Sequence, residues 1–285
     1  MMTATRYAAL VAAFTLALGS NPATAGDFGE LDFQPEEPRP GDIVRVVTQM
    51  PPRVIGGSIS VGGRTFPGFI VGGLFTAYVG LDLDLEPGEH EVGYQLGPIV
   101  GTGKLNVVSR EFGKESLTVA PNYTDLDAET LERVNKESAR LKAIWKKITP
   151  QRLWTKSFLK PAVGPAGSPF GLRRIFNGQP RSPHSGIDIK ASSGSEVYAS
   201  NSGIVALADD LFFTGNTVII DHGLGLYTIY AHLSKMNVSE GDQVQRAQVV
   251  GLVGATGRVT GAHLHWAVKL GGARVDPLGL PGLLF

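Results

Sequence analysis

Histidine and aspartate residues in the C-terminal half of the chain have the types and spacing that metal chemistry requires. His184 precedes Asp188 by four residues, and His263 and His265 form an H-x-H step. Side chains alternate between the two faces of a strand, so the two histidines would project to one side while Leu264 enters the core. Imidazole and carboxylate are ordinary ligands of a catalytic zinc ion, which takes three protein ligands and keeps one position open. The pattern predicts a metal site.

A further histidine, His232, lies in the segment Tyr-Ala-His-Leu-Ser at 230–234. It would place another imidazole near the metal without necessarily coordinating it. Hydrolysis of an amide needs a base for the attacking water and a donor for the tetrahedral oxyanion. A histidine can do either near neutral pH, so the sequence predicts a hydrolytic metal site.

The order of these motifs resembles that of the lysostaphin-like (LytM-type) peptidoglycan metalloendopeptidases. H-x-x-x-D, Y-A-H-L-S and H-L-H-W follow one another, with matching spacers such as Phe170–Arg173 and Gly254–Gly257. The resemblance covers about 155–277 and implies an antiparallel β domain with a groove. It also implies a zinc ion at the floor of the groove and cleavage of peptide bonds in peptidoglycan. His222 matches a family histidine outside the ligand set, so we expect it to be structural or supporting.

The resemblance also implies a role for each residue of the constellation. His184, Asp188 and His265 would bind one Zn²⁺ ion per chain. His232 and His263 would activate water and stabilise the oxyanion, and the division of labour between these two histidines stays open. Both D-Ala-to-diaminopimelate cross-links and glycine-containing bridges are cut within the family, so the scissile bond also stays open.

A second function class must be weighed against the enzyme. Some relatives lack metal ligands and act as non-catalytic envelope modules that bind peptidoglycan and activate a separate wall amidase. Here every ligand and both further histidines are present, which favours an active endopeptidase whose partners are peptidoglycan peptides. A nucleic-acid-binding protein is disfavoured, because the formal net charge is zero and basic residues are not interleaved with aromatic ones.

The first 25 residues have the composition of a secretory signal peptide. Arg6 precedes an apolar run, and small residues favour cleavage after Ala25. The run is shorter than the ~20 residues that span a bilayer. The chain contains no cysteine, which excludes disulfides, thiol catalysis and a lipoprotein anchor. We expect a periplasmic or secreted protein without stable membrane insertion once the signal is removed.

The elements that would position the site are mostly strands. Residues 26–114 show short strands separated by Gly- and Pro-containing turns, which predicts an accessory domain resembling a small β-sandwich. Residues 115–154 form a linker with one amphipathic helix at 127–148, and 155–285 form the antiparallel β domain of the peptidase. The fold class is therefore mainly β, with one linking helix.

Charge is distributed unevenly between the two halves. Residues 26–114 contain 12 acids and 7 bases, a net charge of −5, whereas 115–285 contain 14 acids and 18 bases, a net charge of +4. The difference could bring an anionic polymer to the C-terminal half or hold the halves together. One hypothesis is an intramolecular contact in which the front domain, or the segment 109–125, covers the metal's open position and keeps the enzyme latent.

Overall fold

A computed structural model describes residues 30–117 and 126–283. The predicted signal peptide lies outside the described residues, as does 118–125. Within the described part of the chain, no helix is both long enough and apolar enough to cross a membrane.

The front domain consists of seven antiparallel strands in the order β1-β2-β5-β4-β3-β6-β7. Their bounds are β1 (Asp32–Gln34), β2 (Ile43–Gln49), β3 (Gly57–Val61), β4 (Arg64–Val71), β5 (Leu74–Gly80), β6 (Gly88–Leu96) and β7 (Ile99–Val107).

The seven strands are arranged in two layers, and strand β4 belongs to both of them. Its first half pairs with β3, and its second half, from Gly68 onward, pairs with β5. A Cβ atom on Gly68 would lie 2.3 Å from the Phe75 ring, so a side chain there would displace a fully buried aromatic. The strand therefore passes from one layer to the other and encloses a core between them, which is the sandwich-like arrangement that the turn pattern predicts.

The linking helix α1 spans Ala128–Lys146. Asp127 caps its N-terminus, because the carboxylate accepts a 2.7 Å hydrogen bond from the backbone N–H of Thr130. The helix ends two residues before the predicted end, where Lys147 adopts an extended backbone and donates its N–H to the carbonyl of Ile144.

One stripe of α1 packs on the C-terminal domain. The stripe packs against a small buried cluster of the C-terminal domain, formed by Leu207, Leu211, Ile219 and Tyr227. The helix residues that contact this cluster are Leu141, Ile144 and Trp145. The Trp145 and Tyr227 rings meet edge to face, 5.4 Å between centroids. On the flank, Arg140 forms ion pairs with Asp209 and Glu240. The predicted linker helix is thus docked on the C-terminal domain through its C-terminal turns.

The C-terminal domain is built on a nine-stranded antiparallel sheet. Its main path runs β11-β18-β15-β14-β13-β16; β17 joins β15 to β12, and β19 pairs with β18. The bounds are β11 (Gly186–Ile189), β12 (Glu196–Tyr198), β13 (Gly203–Leu211), β14 (Gly215–Asp221), β15 (Leu226–Met236), β16 (Gln243–Val244), β17 (Val249–Val253), β18 (Leu264–Leu270) and β19 (Ala273–Val275). A 3-10 helix, Pro277–Gly282, follows.

A smaller three-stranded sheet joins the predicted linker to the C-terminal domain. β8 (Lys114–Leu117) pairs in parallel with β9 (Arg173–Phe176), which pairs in turn with β10 (Gln179–Pro180). The described residues are therefore mainly β with one α-helix, and the predicted fold class is confirmed. The exact domain boundaries stay predictions.

The two halves meet in a network of ion pairs. Arg274 contacts both Asp82 and Asp84, and Arg173 Nη1 lies 2.8 Å from Asp84 Oδ1. Burial would raise the pKa of Asp82, but hydrogen bonds from Arg274 outweigh it and lower the pKa to about 2. Acidic groups of the front domain thus contact basic groups of the C-terminal half.

Candidate metal and hydrolytic site

Two neighbouring strands place the first two site residues opposite each other. In the β11–β18 pair, Asp188 is the register partner of His265. A Cβ atom on residue 186 would lie 2.4 Å from the carbonyl oxygen of Trp266, so the glycine allows β11 to approach β18 closely. Ile187 is buried on the other face of β11, and this anchors the strand in the core.

The loop before β11 brings His184 to the same point. Its backbone N–H donates to the carbonyl of Leu172 (3.0 Å), and its ring Nδ1 lies 2.8 Å from the carbonyl oxygen of Pro169. A carbonyl only accepts, so Nδ1 carries the proton and the lone pair is on Nε2. The side chain of His184 is 1% exposed, and its ring is fixed.

Three potential ligand atoms converge at this point. His184 Nε2 lies 2.9 Å from His265 Nδ1, and each of these nitrogens lies 3.0 Å from Asp188 Oδ1. Among the residues that the structure describes, these three form a group that could hold a metal ion. The structure therefore brings together the three side chains that the sequence predicted as ligands.

The electrostatics of this group favour a bound cation. Burial would raise the pKa of Asp188, but the adjacent imidazoles of His184 and His265 outweigh it and hold the pKa well below its usual range. Burial lowers the pKa of His265. An ionised carboxylate and unprotonated imidazoles are the forms in which these groups bind a metal.

His263 adjoins the group, although its backbone differs from the prediction. The sequence placed it within a strand, whereas β18 begins at Leu264 and His263 forms an isolated bridge with Gly254. Its Nδ1 donates to the carbonyl of Gly261 (2.9 Å), and its Nε2 lies 3.6 Å from Asp188 Oδ1. The two histidines of H-x-H nevertheless face the same side, as alternation predicts.

His232 reaches the site from β15. Its ring centroid lies 4.9 Å from that of His263 and 5.9 Å from that of His265. Its Nδ1 donates to the carbonyl of Thr256 (2.9 Å), so Nε2 carries the lone pair. Burial and the neighbouring His265 lower the pKa of His232 to about 3. The neutral ring is therefore a proton acceptor at neutral pH.

The remaining histidine of this domain lies in the core, where a structural or supporting role stays the prediction. His222 is fully buried, its Nδ1 donates to the carbonyl of Ser202 (2.8 Å), and its Nε2 lies 2.7 Å from Thr228 Oγ1. Burial lowers its pKa to about 4. Both ring nitrogens thus have partners within the fold.

Two residues near the site are not among the site residues that the sequence predicts. Arg174 Nη2 lies 3.9 Å from Asp188 Oδ2, on the side of the carboxylate away from the histidines. Thr256 lies in the spacer Gly254–Gly257 that resembles the family pattern, and its carbonyl accepts a hydrogen bond from His232. Nothing local in the sequence marks either role, because both contacts join segments distant along the chain.

Known proteins resemble this part of the chain. A family model described as peptidase family M23 matches residues 182–277. The peptidoglycan DD-endopeptidase ShyA of Vibrio cholerae is 41% identical over 112 residues, covering 39% of this chain and 26% of the relative. The DD-carboxypeptidase/endopeptidase Mpg of Neisseria meningitidis is 40% identical over 113 residues, covering 40% of this chain and 26% of the relative. The matches therefore span about a quarter of the length of these curated relatives.

A solved structure resembles nearly the whole chain. It is a crystal structure of a Pseudomonas aeruginosa protein classed with peptidase M23, 32% identical, with a TM-score of 0.71, covering 87% of this chain and 96% of the other. The chain belongs to peptidase family M23. The predicted resemblance is thereby confirmed, and the matched range of the M23 model contains all five predicted site residues.

A groove leads to the site of this M23 peptidase chain. It has a volume of about 710 Å³ and is lined mostly by small residues of three loops, at 165–168, 190–192 and 260–262, together with Asp188 and His263. An extended peptide could lie along such a surface with a backbone carbonyl next to the ligand group.

Proposed function

We propose that this chain is a zinc-dependent endopeptidase that hydrolyses peptide bonds of bacterial peptidoglycan. One observation carries the proposal. Three potential metal ligands meet within 3.0 Å of one another, and two further imidazoles stand beside them. A purely structural metal site would have closed coordination and no need of two further imidazoles at its edge.

The donor set fits a zinc ion. Two imidazole nitrogens and one carboxylate oxygen are typical ligands of a catalytic zinc. The three ligand atoms lie 2.9–3.0 Å from one another, close enough for one small cation to contact all three. His184, Asp188 and His265 would therefore hold one zinc ion per chain. Bound zinc supplies a Lewis acid that polarises a substrate carbonyl and acidifies water.

The chain's own residues supply the proton chemistry. The neutral ring of His232 presents Nε2 as an acceptor, which places it to take a proton from the attacking water. His263 presents Nε2 beside Asp188, where it can orient the same water or, once protonated, donate to the oxyanion. The division of these roles stays a prediction.

The substrate is proposed from the groove and the relatives together. The groove is open and lined by small side chains, which suits a slender peptide. The curated relatives are named DD-endopeptidase and DD-carboxypeptidase/endopeptidase. This supports a D-Ala-to-diaminopimelate cross-link as the scissile bond in preference to a glycine bridge. Peptidoglycan lies outside the cytoplasmic membrane, which agrees with the predicted signal peptide and a periplasmic or secreted location.

The proposal is tested by zinc content and turnover measured on one preparation. Residues 26–285, purified and dialysed, should contain about one zinc per chain and release soluble peptides from cross-linked sacculi. A chelator should abolish release, and zinc should restore it. A zinc-free chain that is inert on sacculi, yet binds them and activates an added wall amidase even as His265→Ala, would overturn the enzyme in favour of the regulatory module.

A further inference from the structure

The backbone of His232 adopts a conformation that is unusual for its residue type. Its φ is +64°, in the left-handed region that favours glycine. It lies where the pairing of β14 and β15 shifts register: Asn216 pairs with Leu233 and Val218 with Tyr230, so two residues of β15 face one of β14. His232 therefore sits in a β-bulge, a device that re-aims a side chain next to an active site. Such a conformation persists only when its surroundings hold it.

Thr256 holds both the bulge and the ring. Its hydroxyl donates to the carbonyl of Leu233 (2.8 Å), the residue after His232, and accepts from the backbone N–H of Asn216 (3.0 Å). Its carbonyl accepts from His232 Nδ1 (2.9 Å). One residue thus bridges the two strands at the bulge and fixes which ring nitrogen carries the proton.

The local backbone is shaped to let Thr256 approach. Gly215 opens β14, and a Cβ atom there would lie 2.3 Å from Thr256 Oγ1. Two further bonds brace the bulge without touching the ring: Asn216 Nδ2 donates to the carbonyl of Leu233 (3.0 Å), and the N–H of His232 donates to the carbonyl of Thr214 (2.9 Å). The backbone of the bulge therefore has supports besides Thr256. The ring of His232, in contrast, is held through its Nδ1 by the carbonyl of Thr256.

We propose that Thr256 is a positioning residue for His232, an inference that rests on the proposed function. Its hydroxyl fixes the loop to the bulge, and its carbonyl then keeps the proton on Nδ1 and the Nε2 lone pair directed at the substrate's water. Loss of the hydroxyl releases the carbonyl and lets the ring rotate or change tautomer. The metal ligands are held by β11, β18 and the loop before β11, so they remain in place.

The test compares Thr256→Val, which removes the hydroxyl at similar volume, with Thr256→Ser, which retains it. The valine variant should lose about 10–100-fold in kcat, by analogy with the loss of hydrogen-bond partners that orient metal-ligating histidines. KM and zinc content should be unchanged, and the serine variant should recover most of kcat. Thr256→Ala replaces the valine variant if that variant does not fold, with the same expectation.

Thr228→Val is the matched control. It removes a buried hydroxyl from the same domain, one bonded to His222 and Tyr230 rather than to the site. It should lower the melting temperature and leave kcat unchanged. The proposal is overturned if Thr256→Val retains full kcat, or if both Thr256 variants lose activity only in proportion to their loss of melting temperature.

A spectroscopic measurement separates this inference from the proposed function. The ring Nδ1–H of His232 should give a slowly exchanging ¹⁵N–¹H resonance, assigned by its absence in His232→Gln. It should persist in Thr256→Ser and disappear or shift in Thr256→Val. If the wild-type chain releases no peptide, the proposed function fails, and this resonance still decides whether Thr256 positions the ring. An unchanged resonance in Thr256→Val would overturn the inference.

Discussion

Asp188 and His265 are register partners on adjacent antiparallel strands, and Asp188 Oδ1 lies 3.0 Å from His265 Nδ1. Both strands are anchored by buried residues on their other face. The sheet itself therefore sets the distance between two of the three proposed ligands, and only His184 comes from a loop. Replacing one ligand of such a site should therefore remove the metal and leave the fold intact.

Replacing the carboxylate ligand should remove zinc and activity together. Asp188→Asn retains the shape of the side chain but loses the charge that a catalytic zinc site uses. We expect zinc content, measured by mass spectrometry of the metal, to fall below about one tenth of an equivalent. Asp210→Asn, a surface carboxylate paired with Arg133, should retain both. Full zinc in Asp188→Asn would remove Asp188 from the ligand set.

Replacing His232 should separate binding of the metal from turnover. His232→Ala removes a proton acceptor that is not in the ligand group, so zinc should stay at one equivalent. We expect kcat to fall by about 10²–10⁴-fold, the usual contribution of a general acid or base. His90→Ala, in the front domain, is the control and should match the wild type. Retained turnover in His232→Ala would exclude it from the mechanism.

The buried His222 predicts how stability depends on pH. Its folded pKa of about 4 lies below the ~6.5 of an unfolded histidine. Between these values the unfolded chain binds a proton that the folded chain does not, so stability falls as pH is lowered through this range. His222 should contribute a slope approaching ~1.4 kcal/mol per pH unit there.

Urea unfolding of His222→Gln tests this slope. The free energy of unfolding of the variant should depend less on pH between about 6.5 and 4 than that of the wild type. His90→Gln should retain the wild-type slope. Equal slopes for the wild type and His222→Gln would show that His222 does not stay neutral in the folded chain.

That the front domain keeps the enzyme latent stays a prediction, and the ion pairs between the two halves allow a test of it. The ion pairs described between the halves join Asp82 and Asp84 to Arg173 and Arg274. If the front domain restrains the enzyme, the double substitution Asp82→Asn, Asp84→Asn should loosen it and raise the rate of peptide release several-fold. Asp32→Asn, an exposed carboxylate of β1, is the control. An unchanged rate in the double variant would argue against latency.

Much of the site could be predicted from sequence because its spacing is local. H-x-x-x-D and H-x-H each lie within five residues, and alternation along a strand correctly put His263 and His265 on one side. The short strands of both domains were also marked by glycine and proline at their ends. The helix was marked by its apolar stripe and by Asp127 at its start.

Other features depend on contacts that the sequence does not display. The bulge at His232 has no glycine to signal its positive φ, and Thr256, which bonds the adjacent backbone at Asn216 and Leu233, lies 24 residues further on. The parallel pairing of β8 with β9 joins segments almost 60 residues apart. Arg174 lies near Asp188 because the loop before β11 folds back. Such relationships are set by tertiary packing rather than by local pattern.

The central claim is tested most directly by mass spectrometry of the fragments that the purified, zinc-loaded chain releases from sacculi of known cross-link chemistry. We predict that cross-linked peptide dimers are converted to monomers by addition of one water across a D-Ala-to-diaminopimelate bond, with the glycan strands intact. His265→Ala, prepared in parallel, should leave the dimers uncut. Unchanged dimers with the zinc-loaded wild type, or products cut in the glycan, would contradict the account.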